Sequence, residues 1–166
     1  MAWDHVPRAP LWTRAALQAI QTHGQGLVDV VPTDIGDFCP KYPRSGRADR
    51  AAFWSGMLSI LAKMESTWQP GAEGGGGQWI GLLQIAPSTA SAYGCRATTV
   101  SALKDGAANL SCAVRIASAQ VMRDGVVMSD NGNWRGLARD WAPFRSTKKR
   151  VEMTEWIRSQ AYCTVP

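Results

Sequence analysis

Glu65 is a carboxylic acid in a place that should keep it protonated. It falls near the end of an apolar-periodic run from Ala48 to Trp68, with Trp54, Leu58 and Leu61 eleven, seven and four residues before it and Trp68 three after. On a helix those offsets put all four on its side. A carboxyl at the border of an apolar stripe is drawn out of water, and the last turn of a helix adds the negative end of its dipole. Both effects disfavour the charged form and raise the pKa. A neutral acid near pH 7 can protonate a poor leaving group, and the oxygen bridging two sugars is such a group, since it departs only as it receives a proton. The competing use for a helical glutamate is an ion pair, here with Lys63 or Arg50.

The residues that follow Glu65 could build the rest of a sugar site. Glycines fill positions 74 to 77, and the apolar stretch from Gln78 to Ile85 comes next. Gln84 offers an amide that both donates and accepts, suited to an N-acetyl group or a sugar hydroxyl or else to a hairpin hydrogen bond. Gly81 lets a backbone approach a ligand closely. Trp79 has an aromatic face for stacking on a pyranose ring, against burial as its alternative, and Trp141 is a further aromatic candidate. Glu73, on the glycine-rich loop, and Asp140 are the candidates for a second carboxylate that holds or activates water. Tyr93 reads as core beneath the cleft or as a substrate contact.

The order of these segments carries a resemblance. Met64-Glu65-Ser66, the glycine-rich loop, Gly81-Leu-Leu-Gln-Ile-Ala-Pro-Ser-Thr-Ala90, Tyr93-Gly94 and Asn109-Leu110 together resemble the soluble lytic transglycosylase family of the lysozyme-like superfamily, over about residues 50–145. The resemblance implies a lysozyme-like α+β fold, predominantly helical, with a small hairpin beside the cleft. It implies Glu65 as catalytic acid and then base, Ser66 as the neighbour that orients it, and Gln84 and Ile85 as cleft lining. The implied substrate is the peptidoglycan glycan strand, cut between N-acetylmuramic acid and N-acetylglucosamine by a muramidase or a lytic transglycosylase without a cofactor. The sequence departs from the family at its Ala-Tyr-Asn-type motif, where Asp140 or Trp141 stands in place of tyrosine. That departure leaves hydrolysis and anhydro-ring formation both open, along with a wall-binding domain that kept the cleft and lost the chemistry.

These residues need elements to hold them. Residues 11–23 read as a first helix after Pro10, residues 31–46 as a proline-rich surface connector, and residues 48–68 as the central buried helix. A strand or hairpin arm is expected over 78–85, a short helix from Pro87 to Gly94, and a longer helix capped by Asp105 and ended by Gly125. Two more helices are expected near 133–142 and 147–160. The expected layout is one domain: an N-terminal helix and connector over 1–47, a catalytic core over 48–145 and a C-terminal helix over 146–166.

Composition bounds the partners. The chain has 166 residues with a formal charge of +5 from 18 Lys and Arg against 13 Asp and Glu. This balance favours a polyanionic surface such as the bacterial wall; with basic residues scattered and no aromatic-basic motif, no nucleic-acid partner is expected, and Lys148-Lys149-Arg150 reads as a solvated face. No apolar stretch is long enough to span a membrane, and Met1 to His5 lacks the pattern of a secretory signal. Cys39, Cys95, Cys112 and Cys163 show no metal-ligand spacing, so no metal is expected. They are disulfides or buried thiols, and the preferred pairing is Cys95 with Cys112 and Cys39 with Cys163. The expected protein is an exported monomer working in the periplasm or outside the cell, as a bacteriolytic effector or phage lysin, with an immunity or inhibitor protein as its partner.

Overall fold

The computed structural model describes residues 1–164; Val165 and Pro166, the end of the expected 146–166 segment, lie outside the described residues. The first helix, α1 (Ala9–Thr22), buries Trp12, Ala16, Ala19 and Ile20, a stripe at helical spacing. Short helices α2 (Gln25–Asp29) and α3 (Ile35–Phe38) follow, and a 3-10 turn covers Tyr42–Arg44. The stretch expected as an ordered surface connector anchored at Cys39 runs over the surface, with Val31, Thr33, Gly36, Asp37, Pro43 and Arg44 exposed, and it sends side chains into the core at more points than that one anchor. Ile35, Phe38, Cys39 and Tyr42 are all buried, and the Tyr42 hydroxyl donates to the Leu27 carbonyl at 2.7 Å. Trp54 on the next helix donates its indole N–H to the same hydroxyl at 2.8 Å.

That helix, α4 (Arg47–Ser66), runs through the middle of the protein and is buried almost without interruption from Phe53 to Ala62. It stops two residues short of the expected Trp68. Thr67 and Trp68 take left-handed conformations with φ of 50° and 57°. Their N–H groups fold back onto the Lys63 and Ala62 carbonyls at 3.1 and 3.3 Å. This is a helix-ending motif that glycine normally serves, built here from two residues with side chains, and it stores local strain. Trp68 therefore leaves the helical face on which the sequence pattern puts it. Its indole N–H returns to the Ser59 carbonyl at 2.9 Å.

A hairpin follows, with β1 (Glu73–Gly74) antiparallel to β2 (Trp79–Ile80). Gly75, Gly76 and Gly77 in its turn have φ of 58°, 70° and 91°, a run that side-chain-bearing residues resist. Ile80 and Ile85 then exchange backbone hydrogen bonds at 3.1 and 2.9 Å, closing residues 80–85 into a tight loop. Helix α5 (Pro87–Ala92) and α6 (Val100–Leu103) lead to α7 (Gly106–Asp124), which the Asp105 carboxylate caps by accepting from the Ala108 N–H at 2.8 Å. Helix α7 packs along α1, and left-handed Gly125 ends it as expected.

The helix expected near 133–142 is a correction. Met128–Asp130 (β3) and Trp134–Gly136 (β4) form a second antiparallel hairpin, followed by 3-10 turns at Leu137–Arg139 and Ala142–Arg145. Two carboxylates from elsewhere in the chain hold it. Asp34 accepts from the Val127 and Met128 N–H groups at 2.7 and 2.9 Å, and Asp124 accepts from Gly136 at 2.7 Å. The last helix, α8 (Thr147–Arg158), crosses α4. Disulfides join Cys39 to Cys163 and Cys95 to Cys112. Two small hairpins on a mostly helical body make the predominantly helical α+β layout that the resemblance implies.

Candidate active site

Glu65 stands in the last turn of α4, half-buried, with its neighbours otherwise engaged. Lys63 pairs with Glu152 at 2.7 Å, and Arg50 donates to the carbonyls of Val28, Tyr42 and Pro43. Among the described residues the Glu65 carboxyl has no hydrogen bond and no ion pair. Burial pushes its pKa up from 4.5 to about 7, against a smaller pull downward from the Lys149 ammonium. The group can thus hold a proton near neutrality and release it, the property a general acid needs.

Ser66 fixes the next position. Its hydroxyl reaches the Ala62 carbonyl at 3.1 Å and the Leu82 carbonyl at 2.9 Å, bonding the end of α4 to the 80–85 loop. Every carbonyl from Ile80 to Leu83 is held by a side chain. Asn109 donates to Ile80 at 3.0 Å, Gln84 to Gly81 at 2.9 Å, Ser66 to Leu82, and the Trp141 indole to Leu83 at 3.0 Å. A loop gripped this way presents fixed edges to whatever lies beside it.

Beside it is a pocket of about 50 Å³ whose walls include Trp79, Gln84, Ile85, Thr89, Asp140 and Trp141. Glu65 is not one of its walls; the residue after it, Ser66, is bonded to the same 80–85 loop that supplies Gln84 and Ile85 to them. Trp79 is 48% exposed, and its ring lies against Gly75, where any side chain would strike it. That leaves much of the ring free for a ligand. Gln84 adopts a left-handed φ of 48°, donates through Nε2 to Gly81 and Ala72, and keeps Oε1 without a partner among the described residues. It thus combines the hairpin bond with an open acceptor.

Trp141 is only 2% exposed and Ile85 only 3%, so each is chiefly a core residue with an edge on the pocket. Gly81 is buried, and a Cβ there would collide with the Leu103 carbonyl and the Asn109 amide. Internal packing by itself requires glycine at this position. The Tyr93 hydroxyl lies 3.2 Å from Asp140, and the Gln120 amide donates to both. Glu73 pairs with Lys104 at 2.5 Å, and since it is register-paired with Ile80 while Trp79 pairs with Gly74, it occupies the opposite hairpin face from Trp79.

Residues 45–124 match the family model described as the transglycosylase SLT domain. Three solved forms of one protein, DslA (Bd0314), superpose along nearly the whole chain. The wild-type form has a TM-score of 0.89 and 31% identity, with 97% of this chain and 95% of that one covered. A glutamate-to-glutamine mutant of DslA gives the same values, and a second such mutant gives 0.88 and 30% over 98% and 96%. No curated protein sequence matches significantly. The chain belongs to the SLT transglycosylase family.

SLT domains act on peptidoglycan, and the chain is accordingly a peptidoglycan-cleaving enzyme of the lytic transglycosylase or glycosidase class. Two disulfides in this SLT domain suit an oxidising, extracytoplasmic setting. Among the described residues, no helix is long and apolar enough to cross a membrane, and no group of three or more His, Cys, Asp or Glu is placed to hold a metal ion. No site role is expected for Asn109 from the sequence; it is fully buried and satisfies two backbone groups of the 80–85 loop, the Leu83 N–H and the Ile80 carbonyl, and the Leu103 carbonyl at the end of α6, each at 3.0 Å. The signal was present in its place within the first turn of the apolar helix α7, where a buried uncharged amide must find partners.

Proposed function

We propose that this SLT domain cleaves the β-1,4 bond between N-acetylmuramic acid and N-acetylglucosamine with Glu65 as general acid and then base. The observation that carries the reading is the free, half-buried carboxyl of Glu65, whose pKa burial raises to about 7. As the bond from the anomeric carbon to the bridging oxygen breaks, Glu65 gives that oxygen its proton. The resulting carboxylate then takes a proton from the group that attacks the anomeric carbon. Trp79 and Gln84 are the proposed sugar contacts, the first by stacking and the second through its open Oε1.

The attacking group we favour is the substrate's own C6 hydroxyl, which closes an anhydro ring. Hydrolysis ordinarily uses a second carboxylate to hold water, and both candidates have other partners, Glu73 in Lys104 and Asp140 in Tyr93 and Gln120. Export as a bacteriolytic effector or lysin, opposed by a dedicated inhibitor, fits the disulfides and the positive charge and belongs to the same proposal.

The test uses purified sacculi and mass spectrometry of the released fragments. Anhydro-muramic ends are expected from the wild-type protein, and none from Glu65→Gln, which should remain folded and bound to the wall. Reducing ends would replace transglycosylation with hydrolysis. Undiminished cleavage by Glu65→Gln would end the assignment of Glu65.

A further inference from the structure

The basic run Lys148-Lys149-Arg150, read from the sequence as a solvated face, has three separate fates. Lys148 is exposed and without a partner among the described residues. Arg150 turns inward and donates to the Phe144 carbonyl at 3.2 Å. Lys149 reaches across from α8 to α4, where its ammonium lies 3.4 Å from the Met64 carbonyl, the residue immediately before Glu65.

The last turn of a helix leaves carbonyls without intrahelical partners. In α4 the Ala62 and Lys63 carbonyls are taken by the N–H groups of Trp68 and Thr67. The next carbonyl along is that of Met64, and Lys149 supplies its donor. One helical turn further along α8, Glu152 pairs with Lys63 at 2.7 Å, so two polar contacts hold α8 against the turn that carries Glu65.

The other charges around this turn are already committed. Lys63 on α4 belongs to Glu152 on α8, and Glu73 on the hairpin belongs to Lys104. In the 142–145 turn, Arg145 donates to the carbonyls of Ala138 and Arg139. His5 packs edge-on against Trp68 at 4.5 Å between ring centroids. Among the described residues, Lys149 is the cation whose charge opposes the effect of burial on Glu65.

We propose that Lys149 is a positioning residue for the catalytic acid: it anchors the final turn of α4 and sets a positive charge beside the group that gives up and regains a proton. This rests on the reading of Glu65 given above. Without the ammonium, burial acts unopposed, and the carboxyl becomes a weaker acid at the moment it must protonate the leaving oxygen. With it, the carboxylate formed in the first half of the reaction is stabilised until it turns base.

Carbon-13 NMR titration of the Glu65 carboxyl, assigned by difference against Glu65→Gln, reads its midpoint whether or not the protein cleaves anything. In Lys149→Met the midpoint should rise above the wild-type value by about half a unit at low salt, and the difference should shrink as salt approaches about 1 M. Lys149→Arg should restore the wild-type midpoint, and Lys148→Met, one residue away, should leave it unchanged. The alkaline limb of the rate profile on sacculi should move with the carboxyl, and the plateau rate should fall severalfold. A midpoint that stays put in Lys149→Met overturns the role of Lys149. A midpoint that moves while the rate profile does not overturns the assignment of Glu65 as the acid, and with it the part Lys149 plays in catalysis.

Discussion

The Ser66 hydroxyl lies 2.9 Å from the Leu82 carbonyl, and that contact fastens the residue after Glu65 to the loop that forms part of the pocket wall. The same hydroxyl lies 3.1 Å from the Ala62 carbonyl one turn back. Removing it in Ser66→Ala should cost about 1 kcal/mol of stability by denaturant titration. Turnover should fall further than that loss explains, by roughly tenfold with the protein still folded, because a small displacement of an acid from its target oxygen is expensive in rate. Equal wall-clearing rates for variant and wild type at matched folded fraction would show that the bond is structural only.

The raised pKa of Glu65 also makes a statement about stability. A carboxyl at 4.5 in an unfolded chain and about 7 in the fold is bound more tightly to its proton in the folded state. Its contribution is complete below pH 4.5 and is lost as the pH rises through about 7, since a charged group must then occupy a half-buried place. Glu65→Gln keeps the shape and stays neutral throughout. It should therefore exceed the wild type in stability above pH 7, by at most about 3 kcal/mol. The two should converge on acidification, as chemical denaturation at a series of pH values will show. A constant difference across that range would mean the carboxyl is not desolvated.

Asn109 offers the sharpest test of the loop. Its amide meets one N–H and two carbonyls in a fully buried setting, each at 3.0 Å. Asn109→Asp keeps the volume but replaces two donated hydrogen bonds with lone pairs aimed at carbonyl oxygens. The loss should be at least about 3 kcal/mol near neutral pH, and smaller in acid, where the introduced carboxyl regains a proton to donate. Thermal unfolding at two pH values distinguishes this from a simple packing defect, which would not change with pH.

What could be read from the sequence followed the range of the interactions involved. Helix α4 was legible because Phe53, Trp54, Met57, Leu58, Ile60 and Leu61 recur at helical spacing, and α7 because Asp105 and Gly125 mark its ends locally. The second hairpin was not read, although Asn131-Gly132 between short strands is a recognised turn signal. The neighbouring apolar residues Trp134, Leu137, Ala138 and Trp141 also fit a helical pattern, and what decides against a helix is remote. Asp34 holds the Val127 and Met128 N–H groups from more than ninety residues away in sequence. The inward anchoring of the connector is similar, because Tyr42 owes its place to Leu27 and Trp54 rather than to its proline-rich neighbours. In the site, the type of residue at 65 and its apolar surroundings were legible. The partners that keep Lys63 and Arg50 away from it were not, because they lie on α8 and in the 27–44 region.

The two tryptophans beside the pocket should separate binding from folding. Trp79 is 48% exposed and rests on the glycine turn, so Trp79→Ala removes little buried surface and should change stability by less than about 1 kcal/mol. If its open face stacks on a sugar ring, the apparent KM on soluble glycan fragments should rise by roughly tenfold with kcat nearly unchanged, since stacking of this kind serves bound substrate and transition state alike. Trp141 is 2% exposed and donates to the Leu83 carbonyl at 3.0 Å. Trp141→Ala opens a cavity and orphans that carbonyl, at a cost of about 3–5 kcal/mol, and any loss of activity should follow the unfolded fraction and recover with stabilising osmolyte. Trp141→Phe fills most of the space but still lacks the donor, so it should fall between. A rise in KM confined to the Trp141 variants, with Trp79→Ala silent, would move the sugar-stacking surface away from the hairpin.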